Sequence, residues 1–131
     1  MKVPFNINLS GKTAIVTGGS GTLCSAMAYG LAVSGAKVAI IGRNKEKLAS
    51  VSEKLTKDAL YEYNKNVTVK GYSCNVINKD ELSAAYETIK NELGSCDILI
   101  NGAGGNQPGA ITSIEMLKKE KEDSDYSFWN L

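Results

Sequence analysis

Four short apolar runs recur along the chain, and longer stretches with apolar residues at helical spacing separate them. The runs are rich in Val, Ile and Ala, which is typical of strands that are buried on both faces of a sheet. They predict strands over residues 12–16, 37–41, 67–72 and 97–100. The intervening stretches predict helices over residues 23–34, 45–63 and 79–93.

Strands that alternate with helices indicate a parallel sheet joined by helical crossovers. Right-handed crossovers then give the strand order 3-2-1-4, which is the first half of a Rossmann-type, doubly wound α/β fold. The 131 residues suffice for one domain at most. We therefore expect residues 1–131 to form a Rossmann half-domain, with an irregular or partly helical tail over 106–131. The bulky apolar residues at 128–131 predict a chain that stops in mid-domain.

The turn between the first strand and the first helix reads TGGSGTLC over residues 17–24. A strand-to-helix turn leaves the first amide N–H groups of the helix unpaired at the positive end of the helix dipole, where phosphate commonly binds. Gly18 permits a sharp turn, and Gly19 and Gly21 allow backbone to approach a ligand. The match to the pattern G-x-G-x-x-G is partial, so this stretch alone is also compatible with an ordinary tight turn.

Polar or glycine-rich residues follow every predicted strand, over 17–22, 42–44, 74–76 and 101–105. In an open parallel sheet, ligands bind beyond the carboxyl ends of the strands, near the point where the strand order reverses. The four stretches fall at that edge. They predict one binding site that is shared by four loops.

Composition excludes several other classes of function. The formal net charge of +1 gives no electrostatic reason to expect a nucleic acid or a membrane surface as partner. No run is apolar for long enough to cross a bilayer and no secretory signal is present, so a cytoplasmic location is expected. Cys24, Cys74 and Cys96 are expected to be free thiols. The sequence contains no His, which excludes Ser-His-Asp and Cys-His catalysis and leaves no candidate zinc site.

The loop motifs together resemble a known family. The stretches VTGGS (16–20), GR (42–43), NV (75–76) and NGAG (101–104) are similar, in order and spacing, to the coenzyme half of the short-chain dehydrogenase/reductases. The resemblance covers residues 13–105. Within the family, GTLCSAMA (21–28) and NGAGGNQP (101–108) resemble the D-mannonate oxidoreductase (fructuronate reductase) branch. The resemblance implies an NAD(P)-dependent oxidoreductase that interconverts a carbonyl and an alcohol, with a sugar acid as the expected small-molecule substrate.

The resemblance also implies a set of residues that bind the cofactor. These are Gly18, Ser20, Gly21, Thr22 and Leu23 at the pyrophosphate and adenosine ribose, Arg43 with Asn44 after the second strand, Asn75 and Val76 at adenine, and Asn101, Ala103 and Gly104 at the nicotinamide-side ribose. No acid stands at position 42 or 43 to accept ribose hydroxyls, so we expect Arg43 to face the 2′-phosphate of NADP. NAD stays an alternative, because Gly21 occupies a position where many NADP enzymes have a second basic residue.

The chain departs from the family pattern at four positions. Thr22 and Cys24 replace glycines, Asn75 replaces Asp, and Gly102 replaces a second Asn. We expect Cys24 to bring a larger side chain against the adjacent strand. We expect the amide of Asn75 to take over the adenine contact that the Asp usually makes.

Catalysis in the family uses a Tyr with a Lys four residues later, and Ser and Asn, all in the second half of the enzyme. Two Tyr-x-x-x-Lys matches occur here, Tyr61/Lys65 and Tyr86/Lys90, but both fall on predicted crossover helices. We therefore predict no catalytic residue, a core-packing role for Tyr86, and activity only in a longer protein, expected to be a homo-oligomer.

Two other functions stay as alternatives. The chain could be a non-catalytic dinucleotide-binding module that assembles with another chain. It could also be a methyltransferase-type domain, although such domains usually have an acid at the end of the second strand, where this chain has Arg43.

Overall fold

The computed structural model describes residues 6–105, which form a four-stranded sheet and three helices. In chain order these are β1 (Thr13–Thr17), α1 (Thr22–Val33), β2 (Lys37–Gly42), α2 (Lys45–Tyr63), β3 (Val69–Ser73), α3 (Lys79–Glu92) and β4 (Ile98–Asn101). All neighbouring strands are parallel, and their order is β3-β2-β1-β4. The predicted Rossmann-type topology is confirmed. The predicted tail over 106–131 and the apolar residues at 128–131 lie outside the described residues.

The ends of two helices follow directly from the sequence. The side chain of Asn44 accepts a hydrogen bond from the backbone N–H of Lys47, and that of Asn78 accepts from Asp80 and Glu81, so both asparagines cap the helices that follow them. Gly35 has a φ of +105° just beyond α1. This left-handed conformation favours glycine and explains why α1 ends there.

The sheet is covered on both faces in its centre. On one face, Ala14, Val16, Val38 and Ile40 pack with residues of α1 and α2. On the other face, Ile15, Ala39 and Ile41 pack with residues of α3. Burial on both faces is the reason that β1 and β2 are continuous apolar runs rather than alternating ones.

The outer strands of this sheet are more exposed. Residues of β4 alternate between partly buried and exposed positions, with Leu99 56% exposed, and in β3 only Val69 is buried. Cys24, Cys74 and Cys96 are free, as predicted. None of the helices within residues 6–105 has both the length and the apolar character that a membrane crossing requires.

Candidate dinucleotide-binding site

The carboxyl ends of the four strands lie level with one another. Thr17 at the end of β1 pairs with Ile41 of β2 and with Asn101 of β4, and Gly42 pairs with Ser73 of β3. The loops that follow the strands therefore start from one row along the sheet edge. This is the arrangement that the spacing of the polar stretches predicted.

Backbone hydrogen bonds connect the first three loops. The N–H of Gly19 donates to the carbonyl oxygen of Ile41 (3.1 Å), and the N–H of Cys74 donates to the carbonyl oxygen of Gly42 (2.9 Å). The hydroxyl oxygen of Ser20 lies 3.5 Å from the position that a Cβ on Gly42 would occupy. The glycine turn, the loop after β2 and the loop after β3 thus form one continuous surface.

The glycine turn needs glycine at two positions for different reasons. Gly18 has a φ of +66°, and a Cβ there would lie 2.6 Å from the carbonyl oxygen of Gly102. A Cβ on Gly19 would lie 2.5 Å from the Cβ of Ile40. Both distances are too short for real side-chain contacts, so the turn can pack against β2 and the loop after β4 only because it lacks side chains.

Within residues 6–105, no side chain caps the start of α1. Its N-cap is Gly21 and its first turn contains no acidic residue, whereas Asn44 and Asn78 cap the other two described helices. Among the described residues, no side chain accepts from the backbone N–H groups of residues 22–24, which begin α1 just beyond the carboxyl end of β1. Together with the helix dipole they form a site that favours an anion.

Thr17 joins the glycine turn to the loop after β4. Its side chain is 8% exposed, and its hydroxyl oxygen accepts hydrogen bonds from the N–H groups of Gly102 (3.0 Å) and Ala103 (3.1 Å). Sequence reasoning gave Thr17 no role of its own. Its position in the sequence could have indicated this role, because Thr17 is the last residue of a buried strand and a buried hydroxyl needs a hydrogen-bond partner.

The loop after β2 presents a free cation. Arg43 is exposed, and within residues 6–105 no carboxylate forms an ion pair with its guanidinium. Its backbone carbonyl accepts a hydrogen bond from the Ser73 hydroxyl (3.2 Å), which fixes the loop to the end of β3. The side-chain oxygen of Asn44 caps α2 and its backbone carbonyl accepts from the N–H of Leu48 (3.0 Å), so its side-chain amide nitrogen is the group that points to a ligand role.

The loop after β3 is held by its own side chains. The side-chain oxygen of Asn75 accepts from the N–H of Ile77 (3.3 Å), and the N–H of Asn75 donates to Glu81 (2.9 Å). Burial, with a smaller contribution from the Glu81 carboxylate, raises the pKa of the Cys74 thiol. Cys74 is therefore a protonated, structural thiol at neutral pH rather than a nucleophile.

Some of the remaining predicted residues line one end of a cavity of about 650 Å³, whereas Gly104 is exposed and is not part of its lining. Val76, Asn101 and Ala103 contribute to its wall, together with Thr17. The cavity continues as an apolar groove between β4 and α3. Leu23 differs from these residues, because it is 69% exposed at the start of α1.

The two Tyr-x-x-x-Lys matches lie on or beside the crossover helices rather than in the loops after the strands, although Tyr86 also lines the apolar part of the cavity. Tyr61 is 92% exposed on α2, and Lys65 donates through Nζ to the carbonyl oxygen of Val33 (2.9 Å). Tyr86 packs against the buried residues beneath α3, which confirms its predicted role in the core. Within residues 6–105, no group of three His, Cys, Asp or Glu side chains could hold a metal ion.

Comparison with known proteins gives the family. The model of the short chain dehydrogenase family matches residues 12–123. The oxidoreductase UxuB of Bacillus subtilis (strain 168), whose function is uncharacterised, is 42% identical over 124 residues, which are 95% of this chain and 42% of that protein. The 2-dehydro-3-deoxy-D-gluconate 5-dehydrogenase of Formosa agariphila is 39% identical over 120 residues, which are 90% of this chain and 43% of the relative.

Solved structures show the same fold. A candidate D-mannonate oxidoreductase from Haemophilus influenzae with bound NAD is 34% identical, with a TM-score of 0.66 over 96% of this chain and 42% of that one. L-sorbose reductase from Gluconobacter frateurii, complexed with NADPH and L-sorbose, is 26% identical, with a TM-score of 0.70 over 97% of this chain and 44% of that one.

The family assignment rests on most of the chain, whereas the chain spans only about two-fifths of the length of the relatives that it matches. The family model matches most of the chain. The level strand ends and the start of α1, which no side chain of residues 6–105 caps, agree with that match. This chain belongs to the short-chain dehydrogenase family.

Proposed function

We propose that this chain is the coenzyme-binding part of an NAD(P)-dependent oxidoreductase that interconverts a carbonyl and an alcohol. The observation that carries the proposal is the uncapped start of α1, which lies beside the level ends of four parallel strands. A dinucleotide needs an anion site in the middle of a long, shallow edge, and this edge offers one. The backbone N–H donors at the start of α1 therefore fit the pyrophosphate of a dinucleotide cofactor.

Each loop would hold one part of the cofactor. The backbone at Gly18, Ser20 and Gly21 and the first amides of α1 would bind the pyrophosphate. Asn75 and Val76 would contact the adenine, and Asn101, Ala103 and Gly104 would contact the nicotinamide-side ribose. When bound, the nicotinamide supplies or accepts the hydride, and these residues orient it and exclude water from one side of it.

NADP is the proposed cofactor, with NAD as an alternative. The guanidinium of Arg43 is exposed and has no ion-pair partner within residues 6–105, and the first acid after β2 is Glu46, inside α2. A free guanidinium at the end of β2 suits a 2′-phosphate, with which it can form two parallel hydrogen bonds. The solved relatives do not decide the choice, because they include one with NAD and one with NADPH.

A sugar acid is the proposed substrate class. It is supported by the 2-dehydro-3-deoxy-D-gluconate 5-dehydrogenase and by the candidate D-mannonate oxidoreductase among the similar proteins. The test is reduction of fructuronate with NADPH or NADH by a protein of the relatives' full length that contains this chain. Turnover supports the proposal, and no turnover of any sugar acid or ketone would contradict it.

Calorimetry on the 131-residue chain tests the cofactor site itself. We expect NADP to bind, NAD to bind more weakly, and S-adenosylmethionine not to bind. Preferential binding of S-adenosylmethionine would favour a methyltransferase-type function instead. Tight NADP binding by this chain, with no turnover by the longer one, would favour a non-catalytic binding module. Homo-oligomeric assembly and a cytoplasmic location stay predictions.

A further inference from the structure

One close contact in the site joins α1 to the loop after β4. The side chain of Cys24, in the first turn of α1, is 8% exposed and its sulfur points at Gly102. A Cβ placed on Gly102 would overlap the Sγ of Cys24, whereas it would lie 3.6 Å from the Cβ of Cys24, an ordinary van der Waals distance. The sulfur is therefore the side-chain atom that fills the space of a Cβ at position 102, and the backbone carbonyl oxygen of Thr17, 2.9 Å from that Cβ, is the second close neighbour.

The same loop is fixed from two further sides. The hydroxyl of Thr17 accepts hydrogen bonds from the N–H groups of Gly102 and Ala103. Gly18 approaches so closely that a Cβ on it would lie 2.6 Å from the carbonyl oxygen of Gly102. The thiol, the hydroxyl and the glycine turn thus hold the loop, so a change in the size of one contact must shift the loop.

We propose that Cys24 and Gly102 are a size-matched pair that positions the 102–104 loop for the cofactor. Cys24 is in this account a positioning residue. It acts through the loop and sets the distance between the pyrophosphate turn and the residues expected at the nicotinamide-side ribose. The inference rests on the proposed function, since its binding readout requires that the chain binds NADP.

The test is a double-mutant cycle between the two positions. Gly102→Ala overfills the contact, and we expect it to weaken NADP binding by about tenfold or more, as overpacking of a tight interior does. Cys24→Ala removes only the sulfur. The double variant C24A/G102A should therefore recover a measurable part of the lost affinity. Recovery is expected to be incomplete, because the new Cβ would still lie 2.9 Å from the carbonyl oxygen of Thr17.

Two matched controls separate size from other effects. The variant C24S/G102A keeps a γ atom on residue 24 and should not recover binding. Gly30→Ala places a methyl group on α1 where no atom of residues 6–105 outside the local helix backbone lies within 4 Å, and it should leave NADP binding unchanged. Binding of 2′,5′-ADP, which lacks the nicotinamide half, should change by less than about threefold in Gly102→Ala, since a ligand without that half does not need the 102–104 loop.

The outcomes distinguish this inference from the proposed function. If the wild-type chain does not bind NADP, the proposed function fails, but urea midpoints of the ligand-free variants still test the pair. The inference would be overturned if the two single substitutions shift the urea midpoint by amounts that simply add in the double variant. It would also be overturned if C24A/G102A binds NADP as weakly as Gly102→Ala does. If Gly102→Ala does not fold, folding of C24A/G102A supports the pair, and failure of that double variant while Cys24→Ala folds overturns it. Equal loss of NADP and 2′,5′-ADP would overturn the positioning role.

Discussion

The hydroxyl of Thr17 and the guanidinium of Arg43 are the two side chains with the clearest separate tasks at the sheet edge. Thr17 is buried and satisfies two backbone N–H groups of the loop after β4. Arg43 is exposed and is free to meet an anion. One side chain thus builds the site and the other is available to a ligand, so their substitutions should have different signatures.

Thr17→Val keeps the shape of the side chain and removes the hydrogen-bond acceptor. The N–H groups of Gly102 and Ala103 then lose their partner, and we expect a loss of about 1–2 kcal/mol in the free energy of unfolding. NADP binding should weaken as well. Urea denaturation measures the first effect and calorimetry the second. Thr17→Ser retains the hydroxyl and is the control, so equal effects of the two variants would contradict the role.

Arg43→Ala should weaken NADP binding by about tenfold or more and NAD binding by less than about threefold, because only NADP carries the 2′-phosphate. Arg43→Lys keeps the charge without the planar fork and should fall between wild type and Arg43→Ala for NADP. Calorimetric titration with both cofactors measures the difference. An equal loss of the two cofactors would refute a 2′-phosphate contact.

At the scale of the elements, periodicity predicted what depends on local sequence and missed what depends on distant contacts. Helix α2 spans 45–63 as predicted, because its apolar stripe and the Asn44 cap are both local features. Cys24 and Gly102 were noted as separate departures from the family pattern, and nothing in either neighbourhood indicates that they touch. The role of Thr17 was missed for the same reason, since its partners lie more than 80 residues away.

The start of α1 gives a prediction in which stability and binding move in opposite directions. Gly21→Asp would supply the missing cap and an acid at the helix N-terminus, and we expect a gain of about 0.5–1 kcal/mol in the free energy of unfolding. The same carboxylate would occupy the anion site, so NADP binding should be lost.

Thermal denaturation and calorimetry on one sample measure both effects. Gly21→Ala is the control. It adds the Cβ, which lies 3.2 Å from the carbonyl oxygen of Gly18, without the carboxylate, so it measures the effect of the close contact separately from that of the charge. If Gly21→Asp keeps full NADP affinity, the pyrophosphate is not bound at this turn.

The loop that leads into β4 carries a pH-dependent contact on the opposite edge of the sheet. The backbone N–H of Thr13 donates to the Asp97 carboxylate (2.9 Å), and this bond, aided by Lys12, holds the pKa of Asp97 below its usual range. A lowered folded-state pKa adds stability above the unfolded-state pKa, and this stability is lost as the pH falls through the folded-state value.

The stability difference between wild type and Asp97→Asn should therefore be largest near pH 7 and shrink toward pH 3. Urea midpoints across this range measure it. A difference that is constant with pH would contradict the assigned cause of the pKa shift.

At the scale of the whole molecule, the strand order was predictable because crossover handedness leaves few arrangements for alternating strands and helices. The site followed from that order, since parallel strands bring their carboxyl ends to one edge. The register was not predictable, because it depends on how the buried side chains of the two faces pack. The structure supplies it, with Thr17 level with Ile41 and Asn101.

The most direct test of the central claim is to map the amides that respond to NADP by ¹⁵N–¹H NMR on this chain. The account predicts chemical-shift changes confined to the loops after the strands, over residues 18–24, 43–44, 75–76 and 101–104. It predicts none at the amino ends of the strands, near Gly35 and Gly94. Shifts confined to that opposite edge, or no shifts at saturating NADP, would contradict the claim that the four strand ends form one dinucleotide site.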